Sequence, residues 1–213
     1  MSWSGKEGGR RGYHHGNLRE ALVAAALDLI GQKGPAGFTF AEAARQAGVS
    51  AAAPYRHFRD RDALMADVAR RGFDLFAARM EAAWNGGKPA PLPALQRMGA
   101  AYLAFAREEP AYFSAMFECG LPPGYSRELQ EAGDRAIAPL RIACEAVAAT
   151  LPPDKRPPAM MMALHIWTQS HGIASLFGRG DRARRPLPMA PEDLLEAATL
   201  IYLDGLGLHR GKT

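Results

Sequence analysis

The sequence has no apolar run near the roughly 20 residues that a membrane-spanning helix needs, and its first residues lack the apolar core of a signal peptide. It has only two cysteines, Cys119 and Cys144, without the spacing of a disulfide framework or a metal site. These absences argue against a membrane protein and against a secreted, disulfide-rich one. We therefore expect a cytoplasmic protein with no membrane contact, no metal and no cofactor.

Regular strand patterns and familiar catalytic motifs are also missing. We find no serine elbow, no zinc-ligand spacing and no glycine-rich loop for phosphate. An enzyme with an apolar active site, built on His165, His171 and the two cysteines, is the alternative from another functional class. Because no recognisable catalytic arrangement supports it, we expect that the protein is not an enzyme.

The chain has 213 residues, 48% of them hydrophobic, which is enough for one ordinary core and a second small one. Its net charge is +4, and residues 1–60, with eight basic and five acidic residues, carry +3 of it. A basic N-terminal part suits a polyanionic partner. An architectural DNA binder would be far more basic and would have no large apolar domain, so we do not favour that reading.

Helical periodicity recurs along the chain and predicts an all-α fold of about nine helices. Residues 1–16 lack periodicity and are interpreted as a flexible basic arm, although His14 and His15 in it also suit a metal or a proton switch. Residues 178–191 are basic and proline-rich and predict a loop. The predicted helices cover residues 18–30, 41–47, 51–58, 60–84, 95–107, 110–119, 125–151, 159–177 and 192–208.

The most informative stretch is TFAEAARQAGVSAAAPYRHFRDRDAL, residues 39–64. Ala44 is small where two short helices would cross, and Gly48 admits the left-handed backbone that a tight turn needs. Val49 would fill the space between the helices, and Tyr55 and Phe58 would place aromatic bulk on the inner side of the second. The spacing predicts a helix-turn-helix.

This stretch resembles the DNA-binding core of the TetR/AcrR regulators. The PYRHF run with Trp167, His171 and Gly172 is further similar to the subgroup named for a C-terminal Trp-His-Gly (WHG) signature. The resemblance implies a DNA-binding domain over residues 17–62 and a ligand-binding and dimerisation domain over 63–213. The matching positions are Thr39, Ala43, Ala44, Ala47, Gly48, Val49, Ser50, Tyr55, Phe58, Arg61 and Leu64.

The resemblance also implies roles for individual residues on double-stranded DNA. We expect direct reading of bases to be sparse because the second helix is rich in alanine. A basic arm in a minor groove would then supply part of the specificity. The phosphate contacts implied are Thr39, Ser50, Tyr55, His57 and Arg61, the groove-facing residues are Arg45, Ser50, Ala51, Ala52 and Pro54, and the arm residues are Arg10 and Arg11.

The C-terminal part is rich in aromatic residues and methionines that suit an adaptable apolar pocket, although most of them also suit a simple core. The residues expected to touch a small-molecule effector are Tyr102, Phe113, Phe117, Trp167 and His171. By the resemblance, the last two long helices form a homodimer, through Ala163, Ile166, Ser170, Leu194, Leu195, Ala198, Ile201, Tyr202 and Gly205.

Together these features predict a homodimeric transcriptional repressor that a small, largely apolar ligand releases from a palindromic operator. The alternative within the same class is a ligand-dependent activator.

Overall fold

The computed structural model describes residues 18–122, 124–177 and 188–208. Within those residues the chain is all-α, as predicted, and has no strand. The arm with Arg10 and Arg11 and most of the predicted loop at 178–191 lie outside the described residues. The helices are α1 (Leu18–Lys33), α2 (Phe40–Gln46), α3 (Arg61–Trp84), α4 (Pro91–Glu108), α5 (Pro110–Glu118), α6 (Arg127–Ala148), α7 (Ala159–Phe177) and α8 (Pro191–Gly205). No helix in the described ranges is long and apolar enough to span a bilayer.

Side-chain caps define where several of these helices begin. Thr39 and Glu42 form a reciprocal capping box at α2, in which the Thr39 hydroxyl accepts from the Glu42 N–H and Glu42 accepts from the Thr39 N–H. Asp60 caps α3 by accepting from the N–H of Ala63 at 2.8 Å. Gly48 follows α2 with φ +74°, as the predicted turn requires.

The predicted third helix, residues 51–58, is wrong. The segment contains only a short 3-10 helix, Ala53–Arg56, between turns. Pro54 has no N–H, so the carbonyl of Ser50 accepts from the N–H of Ala53 at 3.0 Å, which is an i to i+3 bond. A second bond of that kind joins His57 N–H to the Pro54 carbonyl at 2.9 Å and closes the turn.

The buried side chains form two cores that share α3. The first core packs α1, α2 and the start of α3, with Leu22, Phe58 and Leu64 at its centre. The second packs the rest of α3 with α4, α6, α7 and α8, with Phe76 and Phe105 buried in it. Helix α3 is therefore the wall common to both cores.

A carboxylate at the junction of α1 and α3 ties the first core to the shared helix. The side chain of Asp67 is only 5% exposed, and it accepts hydrogen bonds from Arg19 at 2.9 Å, from Arg70 at 3.0 Å and from Arg71 at 3.0 Å. Burial disfavours its charged form, but the hydrogen bonds from Arg19 and Arg70 and the charge of Arg71 outweigh burial, so the pKa of Asp67 lies below its ordinary value.

We expect Asp67→Asn to lower the free energy of unfolding by about 2 kcal/mol at neutral pH, because it removes the negative charge that accepts hydrogen bonds from three partly exposed guanidinium groups. Since the folded pKa is lowered, the contribution of Asp67 is present above its unfolded pKa and is lost as pH falls through the folded value. Urea unfolding at neutral pH and below pH ~4 measures both effects. Asp74→Asn, in a more exposed pair with Arg70 and Arg135, is the control and should cost less than about 1 kcal/mol. Equal losses for the two variants would contradict this account.

Candidate nucleic-acid interface and ligand cavity

The segment between α2 and α3 exposes a small polar surface. Arg45, on the last turn of α2, is exposed, and its one ion-pair contact with a described residue is a long one, 3.9 Å to Glu42. The 3-10 segment and its flanking turns add further exposed residues, which are Ser50, Ala51, Ala52, Tyr55, Arg56 and His57. Exposed Thr39 lies at the start of α2. The surface thus combines cationic, hydroxyl and methyl groups, which suits phosphate contact with few base contacts.

Glu42, the acidic residue of the α2 capping box, is hydrogen-bonded to Lys33 and Thr39. Hydrogen bonds from Lys33 and from the backbone and hydroxyl of Thr39 lower the pKa of Glu42 to about 2. The bond from Lys33 to the Glu42 carboxylate is 2.8 Å long. Glu42 therefore holds Thr39 and the start of α2 in place while its charge is balanced by Lys33.

Tyr55 is 62% exposed and meets the ring of Phe40 edge-on, with 5.1 Å between ring centroids. Phe58 is buried as expected, but Tyr55 does not lie on the inner side of its segment. The reason is that the 3-10 helix ends at Arg56, so Phe58 lies beyond it and helical spacing does not place the two side chains on one face. The phenol is consequently available to a partner on the outer surface.

Two further residues lie differently from the sequence-based expectation. Pro54 is fully buried, so it does not face a groove. Arg61 is held by the protein itself, because its guanidinium donates to the backbone carbonyls of Phe38, at 2.9 Å, and of Pro35, and it lies 4.8 Å from the centre of the Phe38 ring. Arg61 thereby joins the loop before α2 to the start of α3.

A cavity of ≈ 360 Å³ lies between α3, α4, α6 and α7, in the second core. Its walls are almost entirely carbon, and the lining among the described residues has no charged side chain. This composition suits an apolar ligand. The lining residues are Phe73, Phe76, Met80, Leu95, Met98, Gly99, Tyr102, Phe117, Gly133, Ala136, Ile137, Leu140, Leu164, Ile166, Trp167 and Ser170.

Three of the five predicted ligand residues, Tyr102, Phe117 and Trp167, line this cavity, and the other two support it from behind. The ring of Phe113 stacks on His171 at 5.4 Å, and Phe117 meets His171 edge-on at 4.7 Å. Nδ1 of His171 lies 3.0 Å from the Tyr102 hydroxyl. Burial raises the pKa of Tyr102, so that hydroxyl stays neutral in the wall.

Cys144 and His165 lie in packing contacts. Cys144 is buried, and burial raises its pKa to about 12, so its thiol stays protonated at neutral pH and is a poor nucleophile. His165 stacks on Tyr202 with 3.8 Å between ring centroids and bonds through Nε2 to Gln169 at 2.9 Å. These contacts account for both residues as packing groups.

The residues of α7 and α8 that are expected at a dimer interface fall into two groups, one buried within the chain and one exposed. Ala163, Ile166, Ser170 and Leu195 are buried within the chain and cannot contact a second copy in this conformation, so that expectation is wrong for them. Ile201 is 73% exposed, Gly205 is exposed, and Leu194, Ala198 and Tyr202 are partly exposed. Sequence reasoning missed the exposed Met160, Met161 and Leu164 on α7, because periodicity does not tell an inward apolar face from an outward one.

Helix α5 connects the cavity to the first core. Phe113 and Phe117 lie on its cavity side, while Ala111 and Ala115 pack against the first core. Close packing against α3 occurs at Gly72, where an added Cβ would lie 2.8 Å from the sulfur of Met116. Movement of either helix therefore requires the other to adjust.

We expect Gly72→Val to destabilise the fold by about 2 kcal/mol, because the new side chain would overlap Met116 and Tyr112 in the α3–α5 contact. Thermal unfolding followed by circular dichroism measures the effect. Gly31→Val in α1 is the matched control, since a Cβ there meets nothing within 4 Å, and its melting temperature should remain close to that of the wild type. A Gly72→Val protein as stable as this control would show that the two helices are not tightly coupled.

Two family models match the chain. The model of bacterial regulatory proteins of the tetR family matches residues 22–68, and the model of the tetracyclin repressor-like C-terminal domain matches residues 95–200. A comparison with the curated proteins gave no match. The narrower assignment to the Trp-His-Gly subgroup stays a prediction.

Solved structures share the whole fold. A protein described as of unknown function from Rhodococcus sp. RHA1 is 29% identical, with a TM-score of 0.76, over 92% of this chain and 98% of that one. The TetR family transcriptional regulator PfmR from Thermus thermophilus is 21% identical, with a TM-score of 0.64, over 90% and 99%. AibR, solved with isovaleryl coenzyme A and operator DNA, is 15% identical, with a TM-score of 0.65, over 87% and 97%. The two less similar structures show a shared fold alone.

Proposed function

Because the chain belongs to the TetR family of DNA-binding regulators, we propose that it is a homodimeric repressor that a small, largely apolar ligand releases from its operator. The observation that carries the proposal is the position of the apolar cavity on the same helix as the DNA-binding core. Phe73, Phe76 and Met80 of α3 line the cavity, while Leu64 and Val68 of the same helix lie in the first core. A ligand that shifts α3 would shift the DNA-binding surface with it.

On DNA, we assign the exposed surface before α3 mainly to phosphate contact. Thr39, Ser50, Tyr55 and His57 provide hydroxyl and imidazole groups, and the exposed Arg56 adds a cation. Base reading falls to Arg45 and to methyl contacts from Ala51 and Ala52. Arg10 and Arg11 remain part of the proposal as minor-groove residues of the arm.

Pro54 and Arg61, which the sequence predicts to contact DNA, take other roles in this proposal. Pro54 shapes the exposed segment from within, since it is buried and sets the 3-10 geometry. Arg61 positions Thr39, because it fixes the neighbouring carbonyl of Phe38. Neither residue needs to touch DNA to influence how tightly the protein binds.

The exposed apolar faces of α7 and α8 support a dimer of two copies. Met161, Leu164 and Ile201 are large hydrophobic residues that a folded monomer leaves exposed. Two short DNA-binding segments need such a pairing to reach successive half-sites about 34 Å apart on one side of a duplex. A cytoplasmic location, where operator DNA would lie, is part of the same proposal.

The test is binding of the purified full chain to a fluorescent fragment of the DNA upstream of its own gene. Anisotropy from low to physiological salt should show saturable binding, and footprinting should show protection of one short palindrome. Transcription in vitro should fall on addition of the protein. No binding at any salt, or uniform coverage of the fragment, would reject an operator-specific regulator, and a rise in transcription would favour an activator.

Single variants separate phosphate contacts from base contacts. We expect Arg56→Ala to weaken binding to every sequence and to lower the salt slope by about 1, because one phosphate contact is lost. Arg45→Ala should cost about 1–3 kcal/mol and relax the preference at one base position. The control is Lys155→Ala. Lys155 is exposed in the short 3-10 helix Pro153–Lys155 that follows α6, and its loss should leave DNA affinity unchanged. A loss with Arg56→Ala confined to one base position would show that its role is misassigned.

A further inference from the structure

A second cavity, of ≈ 320 Å³, lies beside the first, between α4, α7 and α8. Leu95, Gly99, Ile166 and Ser170 line both cavities and so form the partition between them. Two of these four residues, Gly99 and Ser170, are small. A Cβ added at Gly99 would lie 3.2 Å from Leu195 and within 4 Å of no other described residue outside α4. The partition is therefore thin.

The second cavity differs from the first in its polar groups. Thr199 is only 5% exposed and lines this cavity, and its hydroxyl has no hydrogen-bond partner among the residues that the structure describes. Ser170 donates its hydroxyl proton to the Ile166 carbonyl at 2.9 Å, which leaves its oxygen as an acceptor. The Thr199 hydroxyl can therefore donate to, or accept from, a molecule bound in this cavity.

Two carboxylates, those of Glu192 and Glu196, and one guanidinium, that of Arg97, line this cavity. Glu192 pairs with Arg107, and the guanidinium of Arg97 donates to the carbonyls of Ala83 and Lys88. Glu196, at the exposed edge of the cavity, accepts from the neutral amide of Gln96 at 3.0 Å, and none of the described cations lies within ion-pair distance of it. The carboxylate of Glu196 is thus an acceptor for a cationic donor.

Resting on the proposed function, we propose that the effector is an amphiphilic amine that occupies both cavities. Its apolar body fills the first cavity and passes over Gly99, and its protonated amine lies in the second cavity and donates hydrogen bonds to Glu196 and Thr199. The acceptors that line the second cavity match the three N–H donors of a primary ammonium group. A carboxylate or phosphate head would instead face two carboxylates, those of Glu192 and Glu196, against the single guanidinium of Arg97.

The test compares ligands with the same chain and different heads by titration calorimetry on the full chain. Decylamine should bind at least about tenfold more tightly than decanol, since one charge-assisted hydrogen bond is worth that much, and decanoate should bind more weakly than decanol. Decyltrimethylammonium, a cation without N–H donors, should lie between the amine and the alcohol. Equal affinities for amine and alcohol, or a preference for decanoate, would overturn the inference.

Variants locate the head group. Glu196→Gln should lower decylamine affinity about tenfold and leave decanol affinity unchanged, and Thr199→Val should weaken the amine to a smaller extent. Asp193→Asn, exposed on the same helix and outside both cavities, is the matched control and should change neither affinity.

Gly99→Val should narrow the passage between the cavities and weaken the binding of decylamine. Hexanol, which is short enough for the first cavity alone, should bind as before. Tight amine binding that Glu196→Gln leaves unchanged would place the head group elsewhere and reject this site.

Operator binding distinguishes the two proposals. If the ligand-free protein fails to bind any fragment, the proposed function fails, whatever the ligand series shows. If it binds DNA and decylamine shows no advantage, only the inference about the amine is overturned. Release of the operator by decylamine from the wild type, but not from Glu196→Gln at the same concentration, supports both.

Discussion

The rest of the structure depends on a single helix being packed into two cores at once. Helix α3 has 24 residues, so it is about 36 Å long. Its first turns complete the core beneath the exposed DNA-binding surface, and its later turns form a wall of the apolar cavity. Because close-packed interiors resist small displacements, neither core can change its shape at α3 without straining the other.

Two other contacts make this coupling stiff. The arginine cluster around Asp67 fixes α3 to α1 on one side, and the approach of Met116 to Gly72 fixes it to α5 on the other. Helix α5 also places Phe117 in the cavity wall and Ala115 in the first core. A ligand that displaces Phe117 therefore acts on the first core by two routes, through α3 and through α5.

Much of this architecture could be predicted from the sequence, because local signals determine it. Helical periodicity gave the bounds of α7 without error, and Thr39 and Gly48 mark the start and the end of α2 by chemistry that acts within a few residues. The aromatic residues of the cavity wall could be predicted in part, since Tyr102, Phe117 and Trp167 are apolar residues on helices that had to face one another.

The remaining features depend on contacts between distant residues. The burial of Pro54 and the 3-10 form of its segment follow from the packing of that segment on the first core, and the bonds of Arg61 to Pro35 and Phe38 cross 26 and 23 positions. Ala163 and Ile166 were misplaced for a related reason: an apolar residue on a helix suits an internal core and a contact between copies equally well. No sequence pattern indicated the second cavity, because its polar groups come from α4, α7 and α8, which are far apart in the chain.

The short 3-10 segment has a consequence for how the proposed repressor would be controlled. Ala51 and Ala52 offer few groups that distinguish one base from another, so each copy in the proposed dimer would hold its half-site mainly through phosphates. Phosphates are spaced regularly along DNA, so such a dimer would bind both half-sites only while the distance between its two surfaces matches that spacing. Since α3 lies in the first core and also lines the cavity, a modest shift of this helix would, in the proposed dimer, change the distance between the two DNA-binding surfaces. A lightly reading DNA surface and a cavity on α3 are thus parts of the same mechanism.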